Sequence, residues 1–171
     1  VIRNTMLYCL DCYSKEGIPG KRGTSRAAMM FLSNWLNEYG SLGMMTVSSE
    51  YLSGDQVYIG PGSRINQALS HGGAAVVRLF LDEPHYVLLT GVNDGSILLF
   101  DPYYWDEPYE EKDIRIDLEH PREYNREVPF QYFNHEEDAL YALGKVDARE
   151  AVLVYNEKTR VPVEEVIEYF I

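Results

Sequence analysis

His85 and Asp101 bracket the stretch HYVLLTGVNDGSILLFD, in which two apolar runs flank an Asn-Asp-Gly turn. Apolar runs around an Asp-Gly core are a strong short-range signal for a β-hairpin. His85 opens the first run and Asp101 closes the second, so both fall at the ends remote from the turn. In an antiparallel hairpin those ends are neighbours, and the two side chains come within reach of each other. A carboxylate that accepts from one imidazole nitrogen fixes the tautomer and leaves the other nitrogen as a base, which is the second half of a catalytic triad. The same pair also reads as two plain strand terminators, since Asp101-Pro102 is an ordinary way to start a turn.

A base of this kind needs a nucleophile. Cys9 and Cys12 are the two cysteines of the sequence, spaced C-x-x-C. Two are few for a disulfide framework, and no second C-x-x-C or close histidine pair completes a zinc site. A redox C-x-x-C sits where a strand enters a helix, whereas CLDCYSKEGIPG runs into a loop rich in Gly and Pro. The plain expectation is two partly buried thiols, with no metal and no cofactor. Thr24 and Ser25 open the segment TSRAAMMFLSNWLNEYG, where a hydroxyl serves first as a helix N-cap. To act as a nucleophile, a hydroxyl needs an adjacent base and a prepared oxyanion hole.

The elements that must position these groups follow from periodicity. Residues 1–13 suit a strand. Residues 24–39 read as a helix, stopped by Gly40, with Ala27, Ala28, Phe31, Leu32, Trp35 and Leu36 forming a buried stripe. Residues 41–60 have no clear period. SRINQALSHGG reads as a short helix capped by Ser63, and AAVVRLFL as a strand. After the 85–100 hairpin, DIRIDL alternates as a half-buried strand should. HEEDALYALGK reads as a short helix, AVLVYNE as a strand and PVEEVIEYF as a terminal helix. Helical segments followed by an antiparallel sheet, with no dividing linker, give an α+β class and one domain over 1–171.

The formal net charge is −12, which repels nucleic acid and anionic lipid and favours basic or neutral partners. Much of the acid falls within 106–138 and at the C-terminus, where it reads first as a solvated face. No apolar run approaches the roughly 20 residues of a membrane span, so no membrane insertion is expected. The start, VIRNTMLYCLDCYS, lacks the basic and apolar regions of a signal peptide. A cytoplasmic place is therefore expected, although the absence of an initiator Met is also compatible with a processed N-terminus.

Three pieces occur in order: TSRAAMMFLSNWLNEYG, NQALSHGGAAVVRLF and HYVLLTGVNDGSILLFDPYY. Together they resemble the papain-like cysteine peptidases, specifically the bacteriocin-processing (double-glycine leader) branch, over about residues 20 to 104. The resemblance implies a papain-like α+β fold with a central N-terminal helix packed on an antiparallel sheet. It makes His85 the general base and Asp101 the residue that orients it, and it places Gly73 and AAVVRL on a family strand. The family's helix begins with Cys-Gly-Pro-Ala-Ala or similar and carries the nucleophile. Setting Ala27 and Ala28 on the Ala pair puts Thr24 at the nucleophile position, with Ser25 and Arg26 following it. The family's oxyanion-donating Gln has no counterpart in GIPGKRG.

The implied function is a degenerate peptidase domain that binds a peptide or protein segment with little or no hydrolysis. A helix N-terminus in the cleft attracts anionic or polar groups, and the acidic loop at 106–111 attracts basic ones. Ser25, Tyr103, Tyr104 and Trp105 are candidate substrate contacts, although an aromatic run is equally a packed loop. Two alternatives stand beside this reading. Cys12 or Cys9 could supply the thiolate to His85 and Asp101 if the chain before the helix folds back over the cleft, giving an active peptidase or acyl-transfer enzyme. Otherwise the chain is a non-catalytic acidic interaction protein.

Overall fold

The hairpin at 85–100 forms, and it lies at the middle of the sheet. In the computed structural model, which describes residues 15–18, 23–43, 46–103, 105–120 and 123–156, β3 (Pro84–Asn93) and β4 (Ser96–Phe100) pair antiparallel. Asp94 and Gly95 take φ of 38° and 85° at the turn. Positive φ at both central residues is the conformation whose twist matches a two-residue hairpin. A register shift between Leu89 and Gly91 makes Thr90 a bulge, and its hydroxyl donates to the Leu98 carbonyl at 3.3 Å.

The remaining strands build outward from this pair. β2 (Ala74–Phe80) pairs with β3, β7 (Glu150–Asn156) with β2, and β1 (Val47–Ser53) with β7. On the other side β6 (Arg126–Pro129) pairs with β4, and the two-residue β5 (Arg115–Ile116) pairs with β6. The order is β1-β7-β2-β3-β4-β6-β5, antiparallel throughout. With two α-helices among the described residues, the fold class is α+β, as the sequence suggests.

Strand alternation decides the two faces. Ala75, Val77, Leu79, Val87, Leu89, Ile97, Leu99, Val128, Ala151 and Leu153 are all buried on one face. The short helix α2 (Arg64–Ser70) covers that face with Ile65, Ala68 and Leu69, helped by Val57, Phe133, Tyr141 and Leu143. Ser63 caps α2 by accepting from the Asn66 amide, as its position in the sequence predicts. Among the described residues, the opposite face is covered near β1 and β7, by α1 (Arg26–Ser41).

Several expectations are corrected. α1 lies over the edge strand β1 and its neighbour, not over the centre of the sheet. It buries Ala28, Met29, Ser33 and Leu36, while Ala27 and Phe31 (45 % exposed) face out. The docked face is partly polar: the Ser33 and Ser49 hydroxyls meet at 3.1 Å, and Asn37 accepts from the Ser49 amide at 2.7 Å. The helix runs past Gly40 and ends at Ser41, with Gly43 taking φ of 69°. Residues 47–53, which lack a period, are a strand. DIRIDL contributes only Arg115–Ile116 to the sheet, and Arg126–Pro129 is a strand that the sequence reading misses.

The helix expected at 135–145 does not form. The Tyr141 amide donates to the Phe80 carbonyl, the Phe80 amide to Ala142, and the Leu143 amide to Phe133. The backbone groups an α-helix would use are therefore spent on the end of β2 and on the 130–133 turn. The strand expected at 1–13 and the helix expected at 162–170 lie outside the described residues. No helix among the described residues is long and apolar enough to cross a membrane.

Leu89 sits in β3 between the bulge and the dyad and is fully buried. Leu89→Ala is expected to cost about 2–5 kcal/mol, the range for emptying such a site. Urea unfolding followed by circular dichroism measures this, and a loss under about 1 kcal/mol would contradict the assigned core face.

Candidate functional site

His85 begins β3 on the same face as Val87 and Leu89, and Asp101 follows Leu99 and Ile97 on that face. The two meet at the open end of the hairpin. His85 Nε2 lies 3.0 Å from Asp101 Oδ1 and 3.1 Å from Oδ2. Nε2–H is therefore the donor to the carboxylate, and Nδ1 is left to carry or take a proton. Nδ1 lies 3.4 Å from the Glu83 carbonyl, a long contact.

Asp101 is 1 % exposed, so its charge must be met by donors. The Tyr103 amide donates to Oδ1 at 2.8 Å, closing an Asx turn. Tyr141 Oη donates to Oδ2 at 3.2 Å. The Asp101 backbone is clamped as well: its amide donates to Asn125 Oδ1 at 2.7 Å, and Asn125 Nδ2 donates to its carbonyl at 2.8 Å. Behind Tyr141 stands Tyr109, with the two hydroxyls 3.0 Å apart, and behind Tyr109 the buried Arg126, whose Nε donates to it at 3.3 Å. Each phenol has one proton to give, so the donors run in one direction, from Arg126 through Tyr109 and Tyr141 to Asp101. Arg126 is itself fixed by the carbonyls of Asn125 and Trp105 at 2.8 and 2.9 Å. Tyr141 reaches this place with φ of 58°, a left-handed conformation that non-glycine residues adopt uncommonly.

The electrostatics follow from these contacts. Burial presses the His85 imidazole toward its neutral form, but the hydrogen bond and charge of Asp101 act against this, and the net position is above the ordinary histidine value. Burial pushes the Tyr141 phenol far upward, with Tyr109 and the Asp101 charge adding to it, so it remains a donor.

Two cavities meet at His85. One, of about 520 Å³, is walled by Gly23, Thr24, Arg78, Tyr86 and Pro102 as well as His85. The other, of about 420 Å³, is walled by Leu81, Asp82, Tyr103 and His85, and Glu83 and Pro84 line both. Thr24 thus shares a cavity with the base, but no hydrogen bond joins the two. Ser25, not Thr24, is the N-cap of α1, its hydroxyl accepting from the Ala28 amide at 3.2 Å. Trp105 lines a third, smaller cavity of about 190 Å³ beside Phe100, Pro102 and Leu118. Cys9, Cys12 and Tyr104 lie outside the described residues. No group of His, Cys, Asp or Glu able to hold a metal occurs among the described residues.

A second buried carboxylate ties α1 to this end of the sheet. Glu150 accepts from Tyr51 Oη at 2.9 Å and from Tyr86 Oη, and Arg26 Nε approaches it at 3.8 Å. Arg26 is the first residue of α1 and also donates to the Asp147 carbonyl at 3.1 Å. The tie holds the helix start, and with it Thr24, at the rim of the His85 cavity. The sequence reading misses Tyr141, Tyr109, Asn125, Arg126, Arg78 and Glu150. Only Arg78 carries a signal, as a cation inside an apolar strand run.

Because the His85 value is raised, its pairing with Asp101 adds stability that is complete below the unfolded-state value of about 6.5 and is lost as pH rises through the folded value. The stability difference between wild type and Asp101→Asn should therefore shrink as pH climbs from about 6.5. The exposed His120–Asp117 pair titrates in the same direction in both proteins and cancels. Urea titrations across that range measure the difference, and one that grows with pH contradicts the pairing. Tyr141→Phe, which removes a donor from a buried carboxylate, is expected to cost about 1–3 kcal/mol in the same assay.

No family model, curated protein or solved structure matches this chain, and the chemistry of the site rests on its own geometry.

Proposed function

We propose that this chain is a papain-like, leader-peptidase-like domain that binds a peptide or protein segment with little or no hydrolysis. The observation that carries the reading is the braced His85–Asp101 pair opening on a cavity that, among the described residues, Thr24 helps to wall at the family's nucleophile position. The helix–hairpin order, the α+β class and the clamp on Asp101 agree with it. A threonine hydroxyl is a far weaker nucleophile than a thiol and requires a base in contact and an oxyanion hole. Thr24 has no hydrogen bond to His85, and the stretch before it supplies no Gln. Among the described residues, a bound peptide would meet an oriented imidazole with only the Thr24 hydroxyl in the same cavity.

A second reading is favoured by one observation. A buried carboxylate with three separate donors is an expensive arrangement to keep for a binding surface alone, and it is the support a working base requires. In that reading Cys12 or Cys9 supplies the thiolate and the domain is a cysteine peptidase or acyl-transfer enzyme.

Digestion of mixed peptides and small esters separates the two, with wild type compared with Thr24→Cys and His85→Ala. The degenerate-site reading expects no turnover by the wild type and a gain of thiol reactivity in Thr24→Cys, kept slow by the missing oxyanion donor, whose absence typically costs about 10² to 10³ in rate. Wild-type turnover that vanishes in His85→Ala would establish the enzyme reading instead.

A further inference from the structure

Arg78 lies in the middle of the sheet on β2, opposite Tyr86 and next to the strand that carries His85. It is half-buried and helps to wall the 520 Å³ cavity. Among the described residues it has no carboxylate within ion-pair distance, and its hydrogen bond, Nη1 to the Ala148 carbonyl at 3.4 Å, is long. The nearby acids are otherwise engaged or displaced. Glu150 is taken by Tyr51, Tyr86 and Arg26, and Asp101 by His85, Tyr103 and Tyr141. Glu83 is on the cavity wall but exposed, and it does not reach the guanidinium. A guanidinium that spends few of its donors among the described residues, at the side of a cavity, is suited to a carboxylate, which it can hold by two parallel bonds.

We propose that the cavity shared by Arg78 and His85 receives the C-terminal carboxylate of a peptide, with Arg78 as its anchor. This rests on the peptide-binding reading above and names the end of the peptide that enters. The space supports a chain end over a small free acid. The cavity is many times the volume of a carboxylate, and past His85 it is followed by a second one with apolar walls from Leu81, Pro84 and Tyr103. A peptide anchored at Arg78 would lay its last residues across His85 and its preceding side chains in the second cavity. The dyad would then face the final peptide bonds of the ligand, not the middle of a long segment. Asp82 and Glu83 beside the second cavity would favour a basic residue just upstream of the chain end.

The test is a two-dimensional NMR titration of the intact protein, following the Arg78 Nε–H and the His85 ring. The probes are N-acetyl-glycyl-glycine, its C-terminal amide, and acetate. The free acid should bind about tenfold or more tightly than the amide and should shift both resonances. Arg78→Gln should abolish the preference, while Arg78→Lys, which keeps the charge but not the fork, should retain part of it. Equal shifts at His85 from acid and amide would overturn the carboxylate anchor while leaving peptide binding in place. Acetate binding as tightly as the peptide acid would reduce the site to a small-anion site and overturn the chain-end proposal. Failure of acid and amide alike to shift either resonance would overturn the anchor and remove the peptide reading with it.

Discussion

A carboxylate buried to 1 % exposure at the open end of a hairpin organises this end of the molecule. Asp101 cannot be left there without donors, because an uncompensated buried charge costs several kcal/mol. The protein supplies them from three separate places in the chain. His85 comes from the start of β3, Tyr103 from the turn that follows, and Tyr141 from the long return toward β7, while Asn125 clamps the peptide groups on either side. Satisfying one carboxylate therefore pins the 101–109 loop, the approach to β6 and the 130–143 return to the same spot. The left-handed turn at Tyr141 and the burial of Arg126 become intelligible as consequences of that requirement.

The other organising carboxylate, Glu150, acts from the opposite face of the sheet. Alternation along β3 sends His85 to the core side and Tyr86 to the side that α1 covers, so one dipeptide serves both acids. The tyrosine holds Glu150, Glu150 draws in Arg26 at the first turn of α1, and the helix start is brought to the rim of the cavity that His85 enters. Burial and the Glu150 charge keep the Tyr86 phenol well above its usual range, so this link persists across ordinary pH. The relation between helix start and base is thus set by tertiary hydrogen bonds and not by helix propensity.

The parts legible in the sequence are those governed by local rules. The hairpin is readable because β-branched and aliphatic runs flank an Asp-Gly turn, and the dyad because the two polar residues occupy its free ends. The Ser63 cap is readable for the same reason. The parts that were not legible answer to distant partners. VSSEYLS has no apolar period because its inner face meets α1 through Ser49 and Asn37. REVP does not read as a strand because its first inward residue is a buried arginine held by three carbonyls and a phenol. HEEDALYALGK has helical composition, but its amides and carbonyls are claimed by Phe80 and Phe133. The bracing behind Asp101 comes from four positions spread over 109–141, and no spacing rule joins them.

The central claim is that the base has been kept while its nucleophile has been lost. Iodoacetamide labelling at neutral pH, read by mass spectrometry of the cysteine peptides, tests this most directly, because a thiolate paired with an imidazole reacts far faster than an ordinary thiol. The account predicts that Cys9 and Cys12 label slowly, at rates that His85→Ala leaves unchanged. Rapid labelling of either cysteine that disappears in His85→Ala would contradict it.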